Sequence, residues 1–121
     1  MTTLFERLGG APSIKVAVDM FYDRMLADDR VARFFEGTDM EQQKKKQMGF
    51  LIFVTGGPNA YTGKDMREGH KHLLERGLDD SHVDVVVEHL GQTLAELGVP
   101  AEDVGEVAAL AESVRDDVLN R

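Results

Sequence analysis

A histidine, a tyrosine, two glutamines and a lysine sit on or beside the helical faces that this sequence otherwise gives to apolar residues. Successive helical residues turn by about 100°, so Met66, His70, Leu73 and Leu74 point one way, while His72 is rotated to the wet side with Lys71 and Glu75. An imidazole on such a face has two uses. It can ligate a metal through one ring nitrogen while the other donates to a backbone carbonyl. It can also be a core histidine satisfied by a neighbouring carbonyl, the commoner case for a lone residue. Gln47 lies between Met40, Met48 and Leu51, with Gln43 one turn earlier and Lys46 three residues after Gln43, a polar notch flanked by Phe50, Leu51 and Val54. The notch reads either as a ligand-facing site or as a solvated helix edge with a snorkelling lysine. Tyr22 stands next to Phe21, and a buried phenol needs a hydrogen-bond partner. Each such group matters because burying it unpaired costs about 1–3 kcal/mol or more.

The elements that must position these residues are all helical. Ile14, Val18, Phe21, Tyr22 and Met25 form one face of a helix expected from Pro12 or Ser13 to near Asp28. A short helical piece is expected around Val31–Phe35. Thr38 with Glu41 resembles a capping box opening a helix from Met40 to Val54, which Gly56, Gly57 and Pro58 stop. Asn59 to Lys64 reads as a loop, and the helix bearing His70 ends at Gly77. Ser81 with Asp84 signals the next start, and Val83, Val86, Val87, Leu90, Leu94 and Leu97 make the cleanest stripe in the chain. A last helix runs from about Ala101, with Val104, Val107, Ala111, Val114 and Val118 inward. No segment alternates in the strand period, so the fold class is all-α, and 121 residues make one domain, 1–121.

Composition removes several chemistries. With no cysteine, there is no disulfide, thiolate catalysis, iron–sulfur cluster or thiolate-ligated haem. A formal charge of −8 repels phosphate backbones and anionic lipid, so neither nucleic acid nor a membrane is an expected partner. The four histidines lack a zinc-protease spacing, and there is no nucleophile elbow or phosphate-binding loop. The first ten residues carry no long apolar run, so the expected compartment is the cytoplasm.

Several short motifs recur together: Leu8-Gly9-Gly10, Phe21-Tyr22, Phe34-Phe35, the run Gln43 to Gln47, Gly56-Gly57, and Met66-Arg67-Glu68-Gly69-His70. In this order and spacing the chain resembles the group I truncated haemoglobins, especially the cyanobacterial type. The resemblance implies a truncated globin, helices packed two over two around non-covalent haem b, with His70 as the proximal iron ligand and Phe35 against the porphyrin. Tyr22 and Gln47 match the distal pair that hydrogen-bonds bound dioxygen, Gln43 takes the distal position proper, and Phe50, Leu51 and Met66 face the haem. Tyr61 and Arg67 are candidate partners for the haem propionates. The implied ligands are dioxygen, nitric oxide and carbon monoxide, with nitric oxide dioxygenation open to the protein if a separate reductase supplies electrons.

Lys46 keeps two readings. Cyanobacterial relatives often carry at this position a histidine that closes onto the iron, and an algal relative uses lysine so; a neutral Lys46 amine would make a six-coordinate redox protein. Otherwise Lys46 points outward or pairs with a propionate. Val114 stands where some relatives carry a histidine bonded to a haem vinyl, which implies that haem here is not covalently attached. Leu51 replaces the phenylalanine gate of the mycobacterial type.

Overall fold

The computed structural model describes residues 3–57 and 63–121. Among them every regular element is helical: α1 (Leu4–Arg7), α2 (Gly10–Leu26), a 3₁₀ turn (Ala32–Phe35), α3 (Met40–Val54), α4 (Gly63–Leu74), α5 (Asp80–Glu96), α6 (Ala101–Glu112) and α7 (Arg115–Val118). Helix α2 packs on α3 and α5, α5 packs on α6, and α4 packs on α7. None of the described helices is long and apolar enough to cross a membrane.

The expected faces bury as their spacing requires. Ile14, Val18, Phe21, Tyr22 and Met25 on α2 are all buried, and they join Leu51, Ile52, Leu90, Leu94 and Val107 in one core. Side chains of this size stabilise by about 1.5–3 kcal/mol each on full burial. Helix α2 begins at Gly10, earlier than Pro12 implies, because a proline in the first turn forfeits an N–H that has no helical partner anyway. The turn before it needs glycine: Gly9 has φ 101°, and a Cβ there would lie 2.3 Å from the Ser13 hydroxyl. At the far end of α3, a Cβ on Gly57 would come within 2.7 Å of the Phe5 ring, so that glycine permits a close approach.

Both expected capping residues are displaced. Asp39, not Thr38, caps α3, its carboxylate accepting from the Glu41 and Gln42 amides. Asp79, not Ser81, caps α5, and His82 completes a reciprocal box by accepting the Asp79 amide. A carboxylate is the better acceptor at the positive end of a helix. Along α5 the stripe is also revised. Val85 and Thr93 are buried, Leu97 is 40 % exposed, and Val86 and Val87 are half-buried because they face an internal cavity. The last helix is not continuous. It breaks at Ser113–Val114, and the short α7 that follows lies against α4.

Two polar clasps fix the segment that joins α2 to α3. Arg33 Nη1 donates to the Arg76 carbonyl at 2.6 Å while Arg76 donates back to the Arg33 and Phe34 carbonyls, tying the 3₁₀ turn to the end of the His70 helix. Asp28, just beyond α2, accepts from the Arg30 amide and guanidinium and from His89 Nε2 on α5 at 2.7 Å. These donors, the Arg30 side chain first, hold the Asp28 carboxyl well below the usual carboxylate range. Its stabilising effect is therefore complete above the unfolded value of about 3.9 and is lost as pH falls through the lower folded one. Thermal melts of Asp28→Asn should show a deficit at pH 6 that shrinks below about pH 4. A deficit independent of pH would remove the carboxylate from the account.

Candidate functional site

A cavity of about 240 Å³ opens between α2, the 3₁₀ turn, α3, α4, α5 and the C-terminal helices. Its wall is largely apolar: Phe21, Met25, Phe34, Phe35, Phe50, Met66, Leu73, Val83, Val86, Val87, Leu90, Val114 and Val118 all contribute. The residues the sequence singles out are among the polar exceptions. Tyr22, Gln43, Lys46, Gln47 and His70 line this one cavity.

His70 is half-buried, and its Nδ1 lies 2.8 Å from the Met66 carbonyl, one turn back on α4. A carbonyl can only accept, so Nδ1 carries the proton and the Nε2 lone pair is left for a ligand. Burial is the main cause that holds the imidazole below its ordinary value; the nearby charges of His72 and Lys46 push the same way, and the Met66 bond pulls against them. All but the last favour the neutral ring that a metal requires.

On the α2–α3 side the groups are ordered differently. Tyr22 is only 2 % exposed, and its phenol oxygen accepts from Gln43 Nε2 at 3.1 Å. Phe35 meets the Tyr22 ring edge-on, with centroids 5.6 Å apart, and so restricts where the phenol swings. Gln47 is half-buried in the same wall, whereas Lys46 is exposed at its edge.

Two expected contacts stand differently. Leu51 is buried but lines a second cavity, of about 350 Å³, among Ile14, Ala17, Leu94 and Val107. It lies one helical position from Phe50, which turns it about 100° away from the first cavity. Arg67 is absent from the wall because its guanidinium is engaged elsewhere: Nε donates to Asp117 at 2.9 Å and Nη2 to the Arg121 carbonyl at 3.1 Å. Tyr61 lies outside the described residues.

The cavity also holds residues the sequence does not single out for it. Thr38, freed from capping, lines it, and so does His82. His72 is exposed as its rotation implies, yet it reaches the rim. The signal for His82 was its place three residues after Asp79, in the box that fixes its ring.

Could these residues hold a metal by themselves? Among the described residues no group of three or more histidine or carboxylate side chains could do so. A single imidazole facing an apolar slot fits a metal that arrives with its own equatorial ligands, which is what haem provides.

The comparisons with known proteins agree. The model of the bacterial-like globin family matches residues 3–120. The chain belongs to this family, among its group 1 truncated haemoglobins. A group 1 truncated hemoglobin of Synechocystis is 47% identical over 124 residues, covering 100% of both chains. One from Tetrahymena thermophila is 46% identical over 119 residues, 98% of this chain and 96% of its own. The 2/2 hemoglobin of Synechococcus sp. PCC 7002 superposes with a TM-score of 0.93 at 43% identity, covering 99% of this chain and 100% of that one. That crystal structure is described as cyanomet with covalently attached heme. In this globin Val114 lines the cavity and has no nitrogen with which to form a histidine-type link. The two-over-two architecture and haem as cofactor follow from the family, and so does the binding of small ligands at the haem.

Proposed function

We propose that this globin reversibly binds dioxygen, and other diatomics such as nitric oxide and carbon monoxide, at a haem iron held by His70 Nε2. The observation that carries the reading is the 2.8 Å contact from His70 Nδ1 to the Met66 carbonyl, which leaves Nε2 unprotonated at the wall of an apolar cavity. Haem would supply an iron able to take one nitrogen from the protein and one diatomic ligand. This chain's residues supply the rest. His70 would give the iron a neutral nitrogen, Phe35, Phe50 and Met66 would exclude water, and Val86 and Val87 fill in the wall. Tyr22 offers its O–H to the ligand, with Gln43 holding the phenol oxygen and Gln47 a second donor beside it. In a dry site such donors are stronger than in water, so ligand release is the step they slow. Nitric oxide dioxygenation uses the same donors and needs electrons from a separate reductase.

A second reading has its own observation. Lys46 lines the cavity that His70 shares, and its charge acts on the His70 ring. If its amine loses its proton and reaches the iron, the protein in the absence of added ligand is six-coordinate and suited to electron transfer.

His70→Gly should lose the Soret band or its normal shape and regain it with added imidazole; an unchanged haem spectrum without imidazole would remove His70 as the ligand. In Tyr22→Phe the dioxygen off-rate should rise about tenfold or more, the loss of one hydrogen bond of about 1.5 kcal/mol in a dry site. Stopped-flow displacement by carbon monoxide measures it, and an unaltered rate takes the phenol out of the mechanism. For Lys46→Ala, ferric and ferrous spectra across pH decide the second reading, which requires them to change from six- to five-coordinate or water-bound forms.

A further inference from the structure

The cavity contains two histidines whose backbone partners set them to opposite tautomers. His70 Nδ1 faces a carbonyl, an acceptor, so its proton is on Nδ1 and its Nε2 is bare. His82 Nδ1 faces the Asp79 amide, a donor, at 3.0 Å, so the neutral His82 ring carries its proton on Nε2. Protonation does not change that assignment. The imidazolium would turn Nδ1–H towards the Asp79 carboxylate, 3.2 Å away, and Nε2 would still bear a hydrogen. Among the described residues, no acceptor takes that Nε2–H.

The ring is also held in place. Its side chain is 13 % exposed, it meets Phe34 edge-on with centroids 4.8 Å apart, and it sits in the first turn of α5 as half of a capping box. A ring held this firmly on the wall of an apolar cavity presents a fixed N–H donor to whatever occupies it, and an occupant with an acceptor at that edge can take it. That N–H also argues against a second iron ligand, since a nitrogen that bears a proton has no lone pair for a metal. The acceptors on the rim of an iron protoporphyrin are its two carboxylates; the methyl and vinyl groups are apolar.

We propose that His82 is a cofactor-positioning residue, its Nε2–H donating to a haem carboxylate, so that one histidine grips the iron and another the acidic edge. The assignment rests on the haem reading above and adds a residue that neither the motifs nor the resemblance supplied.

The test uses the whole protein loaded with iron protoporphyrin IX or with its dimethyl ester. Release is timed by transfer to excess apomyoglobin, in wild type, His82→Glu and His82→Gln. Glutamate and glutamine are both standard reverse partners in a capping box, so melts of the apoproteins should stay close to wild type. Glutamate removes the donor and adds a negative charge, whereas glutamine keeps an N–H. The diacid should leave His82→Glu about tenfold faster than wild type, the equivalent of about 1.4 kcal/mol, while release of the diester changes less than about twofold. His82→Gln should hold the diacid within about threefold of wild type. Equal acceleration of diacid and diester in His82→Glu would show a structural role only and overturn the proposal, as would unchanged release of both or a glutamine variant as leaky as the glutamate one. Failure of wild type to take up either porphyrin would instead overturn the haem reading on which it rests.

Discussion

The Nδ1–H···O=C bond from His70 to Met66 is the interaction on which the proposed function of this fold depends. It costs the helix nothing, because a carbonyl has two lone pairs and can accept a side chain as well as the amide of its own helix. It converts a side chain with two interchangeable nitrogens into one with a single defined donor atom. The apolar wall then acts on that defined atom. Desolvation disfavours the imidazolium, and the neighbouring His72 and Lys46 add to that against the opposing pull of the Met66 bond, so the ring is held below its ordinary value.

That bond is only as well placed as α4 itself, and α4 leans chiefly on one partner. Among the described residues its main packing neighbour is α7, joined to it by Arg67 with Asp117, by the Arg67 bond to the Arg121 carbonyl, and by Asn120 Nδ2 donating to the Arg67 carbonyl. The break at Ser113–Val114 is what redirects the chain into this position. A straight continuation of α6 would leave the His70 helix without its buttress. The engagement of Arg67 follows from the same geometry: its Nε and Nη2 serve as the strut between the two helices.

Much of this was legible in the sequence because it is carried by period. The buried faces of α2 and the position of His70 among Met66, Leu73 and Leu74 depend only on helical spacing, and tertiary packing does not overrule so many coincident apolar positions. What was not legible depends on contacts between elements. Leu51 and Phe50 are adjacent and equally apolar, and only the placement of α3 between two cavities decides which wall each lines. The caps shifted by one or two residues because Thr38 and Asp39, or Ser81 and Asp79, are competing acceptors, and only the folded backbone shows which carboxylate or hydroxyl stands at the helix start. Helix α1 is a single turn, held by Thr3 and by the Phe5 amide on the Thr55 carbonyl, and no periodicity can announce four residues.

The polar groups of the cavity show a common device. Tyr22, His70 and His82 are each committed at one atom to a partner in the protein: the phenol oxygen to Gln43, one imidazole to a carbonyl, the other to an amide. The commitment offsets part of the desolvation cost of burial and, for the two histidines, fixes which atom faces the occupant, a lone pair at His70 and a hydrogen at His82. The partner's chemistry therefore decides the residue's chemistry. Two histidines of identical composition become an electron-pair donor and a proton donor because one lies a turn beyond a helix carbonyl and the other lies within the first turn of a helix, where the backbone presents amides. Residue type alone could not distinguish them; position relative to helix ends and carbonyls does.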